Sequence, residues 1–193
     1  MRRFEQFEFI LASGSPRRQQ FLKDIGVDFT IKTFDIDELY PPHLKGAVIP
    51  TYLVKLKAEP FKDLNEKQVV ITADTIVWSN EQCLGKPKNS NEAKQMLQQL
   101  SGKSHEVITA VAFTQAHQQR IIYESTTVVF KLLTQEEIDY YITSFSPYDK
   151  AGAYGIQEWI GTIGIEKIEG SYTNVVGLPV AQVLTTLEKI SQE

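Results

Sequence analysis

Only one cysteine, Cys83, stands in the 193 residues of this chain. It has no partner for an intrachain disulfide and no companion thiolates for a zinc cluster, which excludes a disulfide-stapled secreted scaffold. Histidine is nearly as scarce. His43, His105 and His117 are scattered, and each reads as a surface or strand residue rather than a metal ligand. An excess of positive charge is also lacking: Lys and Arg number 20 against 24 Asp and Glu, a net charge of −4. That is the wrong sign for a protein that coats nucleic acid. No apolar run approaches the roughly 20 residues needed to span a bilayer, so no membrane partner is expected. The opening Met1-Arg2-Arg3-Phe4-Glu5 leads into a strand-like run too brief for the core of an export signal. Together these absences predict a cytoplasmic protein. Missing too are the P-loop pattern, Gly-x-Gly-x-x-Gly, His-Glu-x-x-His and the nucleophile elbow of esterases.

What is present suffices for a proper core, with 42% hydrophobic residues, and no repeat or flexible linker divides the chain. Residues 7–12 read as a first strand. Ser15-Pro16 then starts a helix, with Ser as N-cap and Pro at the first helical position. Phe21, Leu22 and Ile25 form its buried stripe and Gly26 its stop. Residues 29–34 alternate like a strand, Pro41-Pro42 forces a loop, and a helix follows Pro50. Val69-Val70-Ile71-Thr72-Ala73 suits a strand buried on both faces; Ile76-Val77-Trp78 is its continuation or a hairpin partner. Ala93, Met96, Leu97 and Leu100 mark an amphipathic helix opened by a capping box at Asn89 and Glu92 and closed at Gly102. Segments 105–114 and 120–133 predict an antiparallel pair, and Thr134 with Glu137 opens another helix. The Gly-rich stretch around 152–164 predicts short strands, and Pro179 starts the last helix. This order predicts one α/β domain over 1–193: an elongated mixed sheet flanked by helices, in two lobes with a central cleft.

Four places break the pattern of core and surface. Ser13-Gly14-Ser15-Pro16-Arg17-Arg18 puts free backbone N–H groups and two guanidinium groups at a helix start, a natural anion site; the plainer reading is a capped helix with solvated arginines. Asp74 ends an apolar run, where a carboxylate is costly unless it caps, pairs or binds a metal, though a turn-forming Asp would look alike. Gly85-Lys86-Pro87 holds a lysine on a stiffened loop, as a phosphate site would and as an ordinary turn would. Asp149-Lys150-Ala151-Gly152-Ala153-Tyr154-Gly155-Ile156-Gln157 mixes charges, glycines, a tyrosine and a base-reading amide more densely than packing requires. With so few His and Cys, any metal would be held by carboxylate oxygens, which favours Mg²⁺ or Mn²⁺.

In order along the chain, Leu11-Ala12-Ser13-Gly14-Ser15-Pro16-Arg17-Arg18, Ala73-Asp74-Thr75-Ile76-Val77, Gly85-Lys86-Pro87, Ser101-Gly102-Lys103-Ser104-His105-Glu106-Val107, the Asp149–Gln157 segment and Gly170-Ser171-Tyr172-Thr173-Asn174-Val175-Val176-Gly177-Leu178-Pro179 resemble the motifs of the Maf family. The resemblance covers nearly the whole chain. It implies an elongated two-lobed fold, often dimeric, and a nucleoside triphosphate pyrophosphatase using a divalent metal cation. It makes Asp74 the catalytic base and a metal ligand, with Glu38 on the metal side. Arg17, Thr75 and Gln157 would set base preference, and Ser13, Arg18, Lys57 and Lys86 would contact phosphate. The Arg-Thr-Gln combination is similar to the branch acting on dTTP and UTP; removal of non-standard nucleotides is also associated with the family. Tyr52 departs from the pattern, standing where the family carries an arginine five residues before its lysine, with Lys55 the nearest cation. The rival reading is a non-enzymatic nucleotide-binding regulator of cell division.

Overall fold

The computed structural model describes residues 4–192; the Met1-Arg2-Arg3 of the opening run lies outside the described residues. Its elements follow as β1 (Glu8–Leu11), α1 (Pro16–Asp24), β2 (Phe29–Ile31), α2 (Val48–Ala58), β3 (Gln68–Ser79), β4 (Gln82–Leu84), α3 (Ser90–Leu100), β5 (Ser104–Thr114), β6 (Gln119–Phe130), α4 (Gln135–Phe145), α5 (Trp159–Gly164), β7 (Ile165–Glu169), α6 (Tyr172–Val176) and α7 (Val180–Ile190), with a 3-10 turn at Ala151–Ala153. All seven strands join one mixed sheet in the order β2-β1-β3-β5-β6-β7, with β4 hydrogen-bonded to β3. β1 is parallel to β2 and β3, and the remaining pairs are antiparallel.

Strand alternation sorts the core. From β3 and β5, Val69, Ile71, Ala73, Val77, Val107, Val111 and Phe113 face one side of the sheet. There α1 and α7 cover one end, and α3, α4 and α5 the other. Ile76, Ile108, Ala110 and Ala112 face the opposite side, packing under α2 through Ile49, Leu53 and Val54. The two cores on the first face are the two lobes, and the long strands β3 and β5 run through both.

Local chemistry explains the boundaries. Ser15 is extended and Pro16 opens α1, but the Ser15 hydroxyl makes no capping bond. Thr134 and Glu137 form the reciprocal capping box. At α3 the box is one-sided: Asn89 accepts from the Glu92 amide, while Glu92 turns to the amide of Lys88. Three expectations need correction. β2 stops at Ile31, since residues 32–39 run along the surface with mostly exposed side chains and no second strand to pair with. α2 begins before Pro50, which the first turn tolerates because its missing N–H has no partner there. The Gly-rich stretch holds a 3-10 turn and a short helix rather than short strands, and β7 begins just past it, at Ile165. Of the two readings of residues 76–78 the continuation holds: β3 is one strand of 12 residues. Residues 75–78 keep pairing with β5, and the hairpin to β4 turns at Asn80 and Glu81, both left-handed with φ of 50° and 60°.

His105 is a buried strand residue. It stacks on Phe130 and shares a hydrogen bond of 2.7 Å with the Tyr154 hydroxyl. Burial lowers its pKa from 6.5 to about 4. Below pH 6.5 the unfolded chain takes up a proton that the folded one refuses, so the fold is expected to lose about 1 kcal/mol per pH unit from this residue down to about pH 4. Denaturant unfolding across that window should show the slope, and His105→Phe should flatten it.

Candidate active site

A cavity of about 820 Å³ opens where the lobes meet, within the range of pockets that enclose small molecules. The sheet itself creates it. β1 pairs with β3 only up to Ile71, and β4 takes up the same edge only from Val77. Between them residues 72–76 have β5 on one side and no strand on the other. Asp74 is therefore not at a strand end, as the sequence suggested, but in the middle of β3 beside a missing neighbour. The interruption does the work of a strand end, because it lets a ligand reach the backbone edge and both faces of the sheet.

Alternation sends Asp74 and Thr75 to opposite faces. Asp74 points to the α2 side, where Lys57 Nζ lies 2.5 Å from Asp74 Oδ1 and 2.9 Å from Glu38 Oε1. Burial pushes the Asp74 carboxyl above its ordinary value, despite Lys57 and Arg18 pulling it down. Burial would also raise Glu38, but Lys57, helped by Lys86 and Arg18, brings it below the usual range. The two carboxylates thus differ in basicity, with Asp74 the better proton acceptor.

Thr75 points to the other face, into a directed chain of hydrogen bonds. Arg18 Nη2 donates to its hydroxyl at 3.0 Å. Thr109 donates to the carbonyl of Asn174 at 3.0 Å, so the 3.0 Å bond between the two threonines runs from Thr75 to Thr109. Thr75 Oγ can then only accept from a ligand. Arg18 also donates to Gly177 O and Ala73 O, each at 2.9 Å, and to Ser13 Oγ at 3.2 Å. Four of its five N–H groups are engaged by the protein. Ser13 Oγ, which accepts from Arg18 and from the Ser15 amide, keeps its own O–H to donate, a polarity that suits a phosphate oxygen.

Arg17 reaches Asp149 at 3.3 Å. Lys86, exposed beyond the end of β4, and Gln157, exposed ahead of α5, complete the cavity wall. The nine residues to which the resemblance gave a site role all line this one space: Ser13, Arg17, Arg18, Glu38, Lys57, Asp74, Thr75, Lys86 and Gln157. Tyr52 does not; Leu53 and Lys57 are the α2 residues among the described wall. Lys150, marked by the sequence as one of the charges of the Asp149–Gln157 segment, pairs at 3.0 Å with the half-buried Glu158; sequence reasoning missed Glu158 and Tyr141, whose hydroxyl bonds Glu158 and receives the Gly155 amide. Tyr141 sits in the apolar stripe of α4 and carried no signal of its own. A Cβ on Gly155 would lie 2.9 Å from Gln157 Nε2 and 3.0 Å from both Glu158 Cδ and Lys150 Cε, so a larger residue there would push these side chains aside.

For a divalent cation the donor set is modest. No three His, Cys, Asp or Glu groups converge among the described residues, but Glu38 and Asp74 face one ammonium from two sides. Mg²⁺ is commonly held by one or two carboxylates, with substrate phosphates and water completing its shell, so this pair fits. No helix among the described residues is long and apolar enough to cross a membrane.

A family model described as Maf-like protein matches residues 8–190. A dTTP/UTP pyrophosphatase of Flavobacterium johnsoniae is 51% identical over 189 residues, covering 96% of this chain and 97% of the relative. A protein of the same name from Christiangramia forsetii is 53% identical over 184 residues, covering 95% and 94%. Among solved structures, the Ham1 protein of Staphylococcus aureus overlaps with a TM-score of 0.47 at 15% identity, over 64% of this chain and 71% of that one.

Proposed function

This chain belongs to the Maf-like protein family, and on that premise we propose that it hydrolyses dTTP and UTP to the monophosphate and pyrophosphate, through one domain spanning the chain. The observation that carries the reading is Asp74, a buried carboxylate at the interrupted edge of β3 with Lys57 against it. A binding module has no need to bury a charge there, since burial alone is costly.

A triphosphate carries close to four negative charges and repels attacking water. Ser13, Lys57 and Lys86 would hold its oxygens, and the Arg18 charge adds to the local positive field. Asp74, kept basic by burial, would orient a water and take its proton. The water oxygen bonds to the α-phosphorus, the bond from that phosphorus to the α–β bridging oxygen breaks, and pyrophosphate leaves with the electron pair. Glu38 and Asp74 would hold a divalent cation, Mg²⁺ or Mn²⁺, whose chemistry is to neutralise phosphate charge. Lys57, which bridges those carboxylates in the free protein, has the triphosphate oxygens as alternative anions.

At the base end, the acceptor polarity of Thr75 and the amide of Gln157 suit the acceptor–donor–acceptor edge of uracil and thymine, and Arg17 would close the pocket. Chromatography after incubation with UTP and Mg²⁺ should show UMP and pyrophosphate, abolished by chelator. UDP with inorganic phosphate would instead mean attack at the γ-position. Gln157→Ala is expected to narrow the UTP-to-CTP ratio of kcat/KM about 5- to 150-fold, the range for one mismatched buried polar group, and to lower the UTP rate less. Equal kcat/KM for UTP and CTP in the unmutated protein would sink the base assignment and leave the pyrophosphatase reading standing.

A further inference from the structure

We propose that Lys150 is a specificity-determining residue of the base end: its ammonium offers a fixed donor to a carbonyl oxygen of the pyrimidine ring. The inference rests on the pyrimidine reading above and deepens it. Lysine is seldom buried unless paired, and the Lys150 side chain is only 9% exposed. It is held between Asp149 Oδ1 at 2.6 Å and Glu158 Oε1 at 3.0 Å. Each carboxylate has a second partner. The other oxygen of Asp149 faces Arg17 at 3.3 Å, and that of Glu158 takes the Tyr141 hydroxyl.

An ammonium has three N–H groups. Two carboxylates leave a third, which no other group among the described residues takes, and Lys150 lines the cavity. Gln157 is its neighbour there: a Cβ on Gly155 would lie 3.0 Å from Lys150 Cε and 2.9 Å from Gln157 Nε2, so the two side chains flank one point.

The chemistry separates their roles. An amide can turn over and exchange its donor and acceptor ends, so Gln157 alone would suit uracil or cytosine. A lysine ammonium can only donate. Facing position 4 of the ring, it complements the O4 carbonyl of uracil and thymine, whereas the cytosine amino group at that position would meet it donor to donor; the O2 carbonyl, common to all three, would not discriminate. Lys150 thereby fixes the sense in which the edge is read. A purely structural salt bridge would not need to line the cavity, since well-packed apolar groups often replace buried ion pairs without loss.

The test is kcat/KM for UTP and CTP, by pyrophosphate release, in Lys150→Met, Lys150→Arg and Gln157→Ala, with thermal melting alongside. Lys150→Met is expected to reduce the UTP-to-CTP ratio about tenfold or more, through KM for UTP more than through kcat. Lys150→Arg, also donor-only, should restore most of the ratio. An unchanged ratio in Lys150→Met, with Gln157→Ala narrowing it, overturns the proposal alone. An unchanged ratio in Gln157→Ala as well overturns the base-end reading and the proposal with it. Should Lys150→Met fail to fold, Lys150→Gln decides: its amide can turn either way, so loss of discrimination supports the proposal and a wild-type ratio overturns it.

Discussion

Asp74→Asn is expected to lower pyrophosphate release from UTP by about 10²–10⁴-fold or more, the range for losing a positioned general base. The fold should survive. Asn has the size of Asp, and the buried site is relieved of a charge that burial itself disfavours. Lys57 keeps Glu38 as its partner at 2.9 Å. Nucleotide affinity should hold or rise, because one negative charge has left an anion site. Single-turnover rates, with UTP binding measured by calorimetry, separate the two effects. A variant that turns over at near wild-type rates would mean that another group takes the proton.

Arg18→Met should act mainly on stability, with an expected loss of about 3–5 kcal/mol. The guanidinium ties the loop before α1, the open edge of β3 and the loop after α6, through Ser13, Ala73, Thr75 and Gly177. Ala73 O turns to the edge where β1 and β4 leave a gap, and Arg18 is the partner it finds there. A thioether of similar length offers none of these donors. Each buried acceptor left unpaired costs about 1–3 kcal/mol, and a loss near 4 kcal/mol lowers Tm by roughly 10 °C in a chain of this size. Burial pulls the pKa of this arginine below its ordinary value while the Asp74 carboxylate opposes the shift; the group stays charged, so its field at the phosphate end is lost too. An unchanged Tm with a large rise in KM would show that Arg18 clamps phosphate directly rather than latching the edge.

These two residues show how far the sequence could be read. Asp74 stood out because a carboxylate closes an apolar run, and the structure keeps it buried. Its surroundings were read wrongly, as a strand end, because a single strand cannot show where its neighbours stop. Arg18 stood out through Ser-Pro-Arg-Arg at a helix start. Nothing local distinguished it from Arg17, yet Arg17 reaches the exposed Asp149 while Arg18 is engaged by four protein groups. Adjacent helical positions differ by about 100° in direction, and the packing partner of each direction is set by distant segments.

By itself, the sequence determined the features that local forces govern. Period and capping gave α3, α4 and α7, and β-branched alternation gave β5 and β6. The order of short motifs also marked most of the cavity wall, though not the stretch from Thr33 to Phe61 that supplies Glu38 and Lys57. Only the tertiary structure decided which edge of β3 stays open, that Asp74 and Thr75 serve opposite faces, that the Thr75 hydroxyl can only accept, and that Lys150 is held between Asp149 and Glu158. Each of these depends on groups brought together from far along the chain, up to 159 residues apart for Arg18 and Gly177. Hydrogen-bond polarity and burial are properties of such meetings, and no window of sequence contains them.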